Sequence, residues 1–184
     1  LTPYDIVDNR FMFGKLGTAM HNRIIIPVYF QGNLVYYQGR SIDGSLPKYK
    51  GAESMTTNKK SLLLFNYDTA KSYRSVIVCE GILNAIKAGK NAIALMGSSV
   101  SKYQFDVICK TWNEVYLALD KDAENKAIEL YRRFKRAGKS VHILVFNDKR
   151  DIMELSAIEY GAILKAPVSN VYDLLKFKLK KATV

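Results

Sequence analysis

The chain has 184 residues, of which 48% are hydrophobic and 24% are charged, as in an ordinary folded protein. It has no apolar run near the roughly 20 residues of a membrane-spanning helix, and its few cysteines and histidines lack zinc-ligand spacing. The net charge is +11 and is spread along the chain, which favours a polyanionic partner, most simply nucleic acid. Because the chain begins with Leu1 and has no signal-peptide pattern, we expect a piece of a longer protein.

The amino-terminal part of the sequence predicts a small basic α+β subdomain. Residues 1–22 show no clear periodicity and are expected to be a lead-in. Strand-like runs at 23–30 and 34–40 flank a three-residue turn that contains Gly32, which predicts a β-hairpin. A long polar loop is expected from 41 to 60, and a loop of that length is usually functional or disordered. Its lysines are Lys48, Lys50, Lys59 and Lys60.

Beyond Tyr73, strand-like and helix-like segments alternate, which predicts an α/β fold with a parallel sheet flanked by helices. The clearest helix spans 123–137, where apolar residues recur at helical spacing. We therefore expect a basic subdomain at 1–72, an α/β subdomain at 73–160 and a C-terminal helix within 161–184. The predicted strands are 75–79, 91–95, 115–119 and 140–146, and the predicted helices are 82–88, 102–110, 123–137, 151–160 and 170–181.

Two of the predicted strands end in carboxylates. Glu80 follows the first strand of the α/β subdomain, and Asp120 and Asp122 follow the third. We expect these side chains to gather at one edge of the sheet, where their mutual repulsion calls for a hard divalent cation, and Mg²⁺ fits best. The alternative is that Asp120 and Asp122 cap the helix that follows, and the two roles can coexist.

Three short motifs follow successive strands of this subdomain. They are Glu80-Gly81, the run Ala94-Leu95-Met96-Gly97-Ser98-Ser99, and Asp120-x-Asp122. In this order and spacing they resemble a Toprim domain, the fold shared by primases, two classes of topoisomerase and some nucleases. The resemblance implies metal-assisted phosphoryl chemistry at the acidic residues.

Motifs upstream of Tyr73 narrow the resemblance to the DNA primases of bacteria and phages. The resemblance rests on the motifs Arg23-Ile24-Ile25-Ile26-Pro27, Gln38-Gly39-Arg40 and Pro47-Lys48-Tyr49, followed by Lys60 and the run Leu64-Phe65-Asn66. The resemblance covers about residues 23–160. In topoisomerases the upstream arginine, lysine and tyrosine motifs would have no explanation.

The resemblance to primases implies roles for individual residues. The implied catalytic residues are Glu80, Asp120, Asp122 and Lys60, with Glu80 as general base or metal ligand. The implied metal ligands are Glu80, Asp120, Asp122 and Asp151. The implied nucleotide- and template-binding residues are Arg23, Arg40, Lys48, Tyr49 and Lys60.

The chain departs from the primase pattern at three points. Asn84 stands where an aspartate is usual, Met153 replaces the second acid of a later motif, and residues 123–125 differ from the usual small residues. Glu80, Asp120 and Asp122 are intact, so we still expect metal binding. Asn84 and Met153 are the best support for one alternative, a non-catalytic nucleic-acid-binding module that kept the fold. A Toprim-type nuclease or topoisomerase fragment is the other alternative.

The primase resemblance implies synthesis of RNA primers on single-stranded DNA from ribonucleoside triphosphates, a nucleotidyltransferase reaction of DNA replication. The implied cofactor is Mg²⁺ or Mn²⁺. Implied companions are a replicative or fused helicase and a zinc-binding module, with no membrane. We expect a cytoplasmic location and a phage or mobile-element source, in which case the chain would act in the host cytoplasm.

Overall fold

A computed structural model describes residues 2–51, 60–97, 99–119, 124–146, 152–170 and 172–173. It contains two four-stranded sheets, one antiparallel and one parallel. The antiparallel sheet has the strand order β1-β2-β3-β4. Its strands are β1 (Met12–Phe13), β2 (Arg23–Phe30), β3 (Asn33–Ser41) and β4 (Tyr49–Gly51), and helix α1 (Pro3–Asp8) precedes them.

The predicted hairpin is confirmed as β2 and β3. Its turn is one residue shorter than expected, because Asn33 pairs with Phe30 and leaves only Gln31 and Gly32 between the strands. Both turn residues have positive φ angles, 52° and 79°. That combination matches the right-handed twist of the strands, which makes the two-residue turn favourable even with a non-glycine residue in it.

The parallel sheet confirms the predicted α/β architecture. Its strand order is β6-β5-β7-β8, with helices connecting the successive strands. The strands are β5 (Ser75–Cys79), β6 (Ala92–Ala94), β7 (Glu114–Ala118) and β8 (Ser140–Ile143). The helices are α2 (Tyr67–Ala70), α3 (Ile82–Ala88), α4 (Lys102–Thr111), α5 (Glu124–Arg136) and α6 (Ala157–Lys165), and short 3₁₀ helices span Lys60–Leu62 and Ile152–Glu154.

Apolar side chains bury both faces of the parallel sheet, as the continuous apolar runs of its strands predict. On one face Ile77 and Cys79 of β5 belong to a core with α3, α6 and the antiparallel sheet, including Ile26. On the other face Val76 and Val78 belong to a core with α4 and α5. The two sheets therefore share a core.

Three expectations about local structure need correction. The lead-in at 1–22 contains α1 and β1, and the loop expected at 41–60 contains β4. The helix expected at 151–160 starts later, at Ala157, because Ser156 and Glu159 form a capping box there. The helix expected at 170–181 falls mostly outside the described residues.

No helix among the described segments has the length and apolar character needed to cross a membrane. The domain boundaries stay a prediction.

Candidate active site

The order of the parallel strands creates a crevice between β5 and β7. The chain leaves β5 toward β6 on one side, and it leaves β7 toward β8 on the other. In open α/β sheets the loops diverge at such a point and leave a ligand-sized crevice at the carboxyl ends of the strands. Cys79 of β5 is in register with Ala118 of β7, so Glu80 and Leu119 leave the sheet side by side.

Glu80 is held by the backbone around it. Its carbonyl accepts a hydrogen bond from the Met96 N–H at 3.0 Å, and the Cys79 carbonyl accepts one from the Leu95 N–H at 3.0 Å. These bonds join the end of β5 to the segment after β6. The chain then enters α3 at Ile82, after Gly81 as the N-cap, so Glu80 occupies a short link between a strand and a helix that are both fixed by the core.

Glu80 opens into a cleft of about 310 Å³. The walls come from the ends of β5 and β7, the segment after β6, and helix α5. The lining residues are Glu80, Leu95, Ser99, Val100, Leu119, Lys126, Glu129, Leu130 and Arg133. Acidic, basic and apolar side chains thus meet at the crevice that the strand order predicts as a ligand site.

The other acidic residues of the predicted site lie outside the described part of the chain. They are Asp120, Asp122 and Asp151. Their described neighbours are well packed, since Leu119 lines the cleft and Ile152 is 2% exposed. Within the described residues there is no group of three or more histidine, cysteine and acidic side chains able to hold a metal ion. Asn84, at the position where the family has an aspartate, is buried in the first turns of α3.

Lys60 is brought to the same edge of the sheet by Gln104, which is 1% exposed. The Gln104 amide nitrogen donates to the carbonyls of Lys60, Leu63 and Leu95, at 3.2, 2.7 and 3.1 Å. Leu95 is also bonded to the end of β5, so the Lys60 turn is anchored one strand away from Glu80. The Lys60 ammonium lies 5.8 Å from the centre of the Tyr36 ring.

Arg40, Tyr49 and Lys48 lie together on the antiparallel sheet and the loop before β4. Arg40 pairs with Tyr49 across β3 and β4, and its guanidinium carbon lies 4.7 Å from the centre of the Tyr49 ring. This cation–π contact holds the arginine over the sheet. Lys48 precedes Tyr49 and is exposed. Two of the predicted cations are therefore adjacent to the predicted aromatic residue.

Arg23 is only 4% exposed, so its side chain lies in the protein interior and not in solvent. Its guanidinium donates to the Pro47 carbonyl at 2.8 Å and to the Ser45 hydroxyl at 3.4 Å. Gly39 lies beneath it, and a Cβ there would lie 3.1 Å from Arg23 Cδ and 2.7 Å from Met20 Sδ. The glycine of the Gln38-Gly39-Arg40 motif therefore leaves room for Arg23, which supports the loop before Lys48.

Asp43 also orders that loop. It accepts hydrogen bonds from the Ser45 N–H at 3.0 Å, the Asn22 amide at 3.0 Å and the Ser41 hydroxyl at 2.9 Å. These bonds, that of the Ser45 N–H most strongly, lower the pKa of Asp43 well below the usual range of a carboxyl group. The loop that presents Lys48 is thus bound at both ends, by Asp43 and by Arg23.

Sequence reasoning missed three residues of this region: Gln104, Lys126 and Arg133. Gln104 had a readable signal, because Ser101 and Gln104 form a capping box at the start of α4. That pattern indicates a helix start, but it does not reveal that the amide nitrogen is left to bond three carbonyls. Lys126 and Arg133 lie among the basic residues of the predicted 123–137 helix, and nothing in the local pattern separates them from Arg132 or Lys135.

Comparison with known proteins finds a family match over part of the chain and similarity to DNA primases. Residues 77–156 match the family described as Toprim-like. A DNA primase of Clostridium acetobutylicum is 23% identical over 171 residues, which cover 88% of this chain and 29% of that protein. The chain therefore spans less than a third of the length of this curated relative.

Solved primase structures have the same fold. The structure of the zinc-binding and RNA polymerase domains of the Aquifex aeolicus primase matches with a TM-score of 0.72 and 22% identity, over 92% of this chain and 47% of that one. A DnaG primase catalytic domain bound to single-stranded DNA matches with a TM-score of 0.68 and 16% identity, over 89% of this chain and 60% of that one. These matches show that the chain has the fold of a DNA primase catalytic core, within which residues 77–156 are similar to the Toprim-like family.

Proposed function

We propose that this chain is the polymerising core of a DNA primase. It joins ribonucleotides on a single-stranded DNA template and releases pyrophosphate. The names of the matched proteins support this proposal, since the relative is a DNA primase and one similar structure holds single-stranded DNA. The chain covers only part of each, so the activity is proposed from its own residues as well.

The observation that carries the proposal is the position of Glu80. It follows β5 at the crevice where the strand order diverges, and its neighbour across the crevice is Leu119. The sequence continues from Leu119 into Asp120-Lys121-Asp122. Glu80, and Leu119 that directly precedes the acidic motif in the sequence, therefore leave adjacent strands at the point where α/β folds bind ligands.

We assign Glu80, Asp120, Asp122 and Asp151 as ligands of a divalent cation. Carboxylate oxygens are hard donors that suit Mg²⁺, with Mn²⁺ as a substitute. When bound, such an ion neutralises charge on the phosphoryl group and activates the attacking hydroxyl. The loss of a carboxylate at Asn84 leaves this donor set intact, because Asn84 is not among the four.

The basic residues of the antiparallel sheet bind nucleotide and template phosphates in this proposal. Lys48 is exposed, and Arg40 is held by Tyr49 with its guanidinium available for paired hydrogen bonds. Lys60, anchored near Glu80 through Gln104, supplies charge close to the reacting phosphate. Arg23 acts indirectly, by holding the loop on which Lys48 lies.

The resemblance to primases implies the proposed partner modules and cellular location. A zinc-binding module that reads the template, and a replicative helicase as a separate or fused partner, would complete the protein. The proposed location is the cytoplasm. A phage or mobile-element source is a prediction from the sequence alone.

The test is primer synthesis on single-stranded DNA with labelled ribonucleotides, in Mg²⁺ or Mn²⁺. We expect short RNA products from the wild type and none from Glu80→Gln or Asp120→Asn, because each change removes a charged ligand. Both variants should keep the fold, seen by circular dichroism, and most of the affinity for DNA. Asp106→Asn is the matched control, since Asp106 is an exposed acid on α4.

Three results would contradict the proposal in different ways. Undiminished RNA synthesis by Glu80→Gln would refute the assignment of Glu80 as a catalytic metal ligand. Cleaved template without RNA would favour a nuclease. Binding without either product, at any metal concentration, would favour a non-catalytic module.

A further inference from the structure

Helix α5 presents one stripe of side chains to the Glu80 cleft. Its members are Lys126, Glu129, Leu130 and Arg133, all of which line the cleft. Their spacing of three, four and seven residues places them on one face of a helix. Leu130 is buried and fixes this face against the core, so the charged residues on either side of it are directed along the cleft.

Arg133 is held in a fixed position at the cleft wall. Its guanidinium carbon lies 4.6 Å from the centre of the Phe105 ring. Phe105 in turn stacks on Phe134 with ring centres 4.7 Å apart, and Phe134 is fully buried. An arginine stacked on an anchored ring has already lost much of its rotamer freedom, so little more is lost when it binds an anion.

The surroundings of the stripe favour an anion with several charged oxygens. Lys126 supplies a mobile ammonium and Arg133 a planar fork of donors, the pair of groups that proteins use for phosphates. Seven residues of helix separate them by about 10 Å, so one compact anion can meet both long side chains. Glu129 contributes an opposing charge, but it is exposed and can turn toward solvent.

We propose that Lys126 and Arg133 bind the β- and γ-phosphates of the incoming ribonucleotide, the part that leaves as pyrophosphate. This inference rests on the proposed function, because it uses the same cleft. A cleft of about 310 Å³ is at the lower end of the size of small-ligand sites and suits a nucleotide polyphosphate better than a continuous DNA strand. The opposite wall carries Glu80, so the polyphosphate lies beside the proposed cation.

The experiment compares Arg133→Ala and Lys126→Ala with Arg132→Ala. Arg132 is the matched control, because it is exposed on the same helix and does not line the cleft. Each variant loses one positive charge. We measure KM and kcat for ATP in primer synthesis, and separately the equilibrium affinities for Mg²⁺-pyrophosphate and for single-stranded DNA.

We expect Arg133→Ala and Lys126→Ala each to weaken pyrophosphate binding about tenfold, which is the loss of one charge-assisted hydrogen bond. KM for ATP should rise by a similar factor, while DNA affinity and the Arg132→Ala values stay near the wild type. Arg133→Lys should recover part of the affinity, because it keeps the charge and loses the fork. Lys126 is exposed, so Lys126→Ala still tests the proposal if Arg133→Ala fails to fold.

Two results would overturn the inference. One is equal pyrophosphate affinity in Lys126→Ala, Arg132→Ala and the wild type. The other is loss of DNA affinity without loss of pyrophosphate affinity, which would assign the stripe to the template. If the wild type made no RNA, the proposed function would fail, but the pyrophosphate measurement would still decide the inference, and no binding by the wild type would refute it.

Discussion

Arg23 and Arg40 lie on neighbouring strands but have different surroundings. Arg23 is almost fully buried and donates to Pro47 and Ser45, whereas Arg40 lies over Tyr49 at the surface. A buried guanidinium needs hydrogen-bond acceptors, and here the loop before β4 supplies them. The same residue type therefore supports the loop at one position and is proposed to bind phosphates at the other.

We predict that Arg23→Met lowers the free energy of unfolding by about 1–3 kcal/mol, because the Pro47 carbonyl loses a charged donor. The measurement is urea denaturation. Lys48→Met, on the loop that Arg23 supports, is the control and should change stability by less than about 0.5 kcal/mol, since Lys48 is exposed. Equal losses in the two variants would contradict the assigned role of Arg23.

At the scale of elements, Gln104 of α4 connects the turn at residues 60–63 to the end of β6. Its amide bonds the Lys60 turn, Leu63 and the end of β6, while its own helix is α4. Because the amide is buried, water cannot replace these bonds. Gln104 therefore helps to fix the Lys60 turn relative to the sheet, together with the Ser101 hydroxyl, which donates to the Ser61 carbonyl.

We predict that Gln104→Ala destabilises the protein by about 3 kcal/mol, because buried carbonyls lose their donor and a cavity forms. Primer synthesis should fall further than the unfolded fraction explains, since the Lys60 turn loses its anchor. Denaturation and activity are measured on the same preparation. Lys110→Ala, exposed on the same helix, is the control, and activity that tracks only the folded fraction would refute the positioning role.

Asp68 connects the hairpin to helix α2. Its carboxylate accepts from the N–H groups of Gln31 and Gly32, at 3.0 and 2.8 Å, and pairs with Lys71 at 3.2 Å. Partial burial raises the pKa of Asp68, but the hydrogen bond from Gly32 and the contact with Lys71 outweigh it and lower the pKa overall. The ionised Asp68 carboxylate therefore joins the β2–β3 turn of the antiparallel sheet to helix α2, which lies next to the parallel sheet.

We predict that this connection is lost in acid. A lowered pKa in the folded state means that the stabilisation is complete above the unfolded value, near 3.9, and disappears as the pH falls through the folded value. Asp68→Asn should cost about 1 kcal/mol at pH 7, a figure reduced for partial exposure, and progressively less as the pH falls below the unfolded value. Urea denaturation of both proteins across this range tests it, and a difference independent of pH would contradict it.

At the scale of the whole molecule, the net charge of +11 favours non-specific attraction to nucleic acid. The proposed template surface lies on the antiparallel sheet, with Lys48 exposed beside Tyr49. Lys90 is also exposed but precedes β6, at the amino ends of the parallel strands. Charge alone does not distinguish the two lysines, whereas their positions do.

We predict that affinity for single-stranded DNA falls steeply with salt, and that Lys48→Ala reduces the slope of log K against log salt concentration by about 0.7, the release of one counterion. Lys90→Ala should leave the slope unchanged, because it lies away from the proposed surface. Fluorescence anisotropy over a range of salt concentrations provides both slopes. Equal reductions would show that binding follows overall charge and not the proposed surface.

The amino-acid sequence by itself determined the order of strands and helices in the α/β subdomain and the place of Glu80 at a strand end. Periodicity, helix caps and apolar runs are local, so they can be read along the chain. The sequence predicted the start of α6 less well. The predicted helix began at residue 151, whereas the capping box at Ser156 starts the helix at Ala157.

Only the tertiary structure decided which side chains meet. Strand order puts Glu80 beside Leu119, Gln104 fixes the Lys60 turn, and Arg133 is turned to the cleft while Arg132 is not. These contacts join residues far apart in sequence, and they depend on which strands are neighbours and which helix face is buried. No local pattern carries that information, because the same residues with another strand order would line another site.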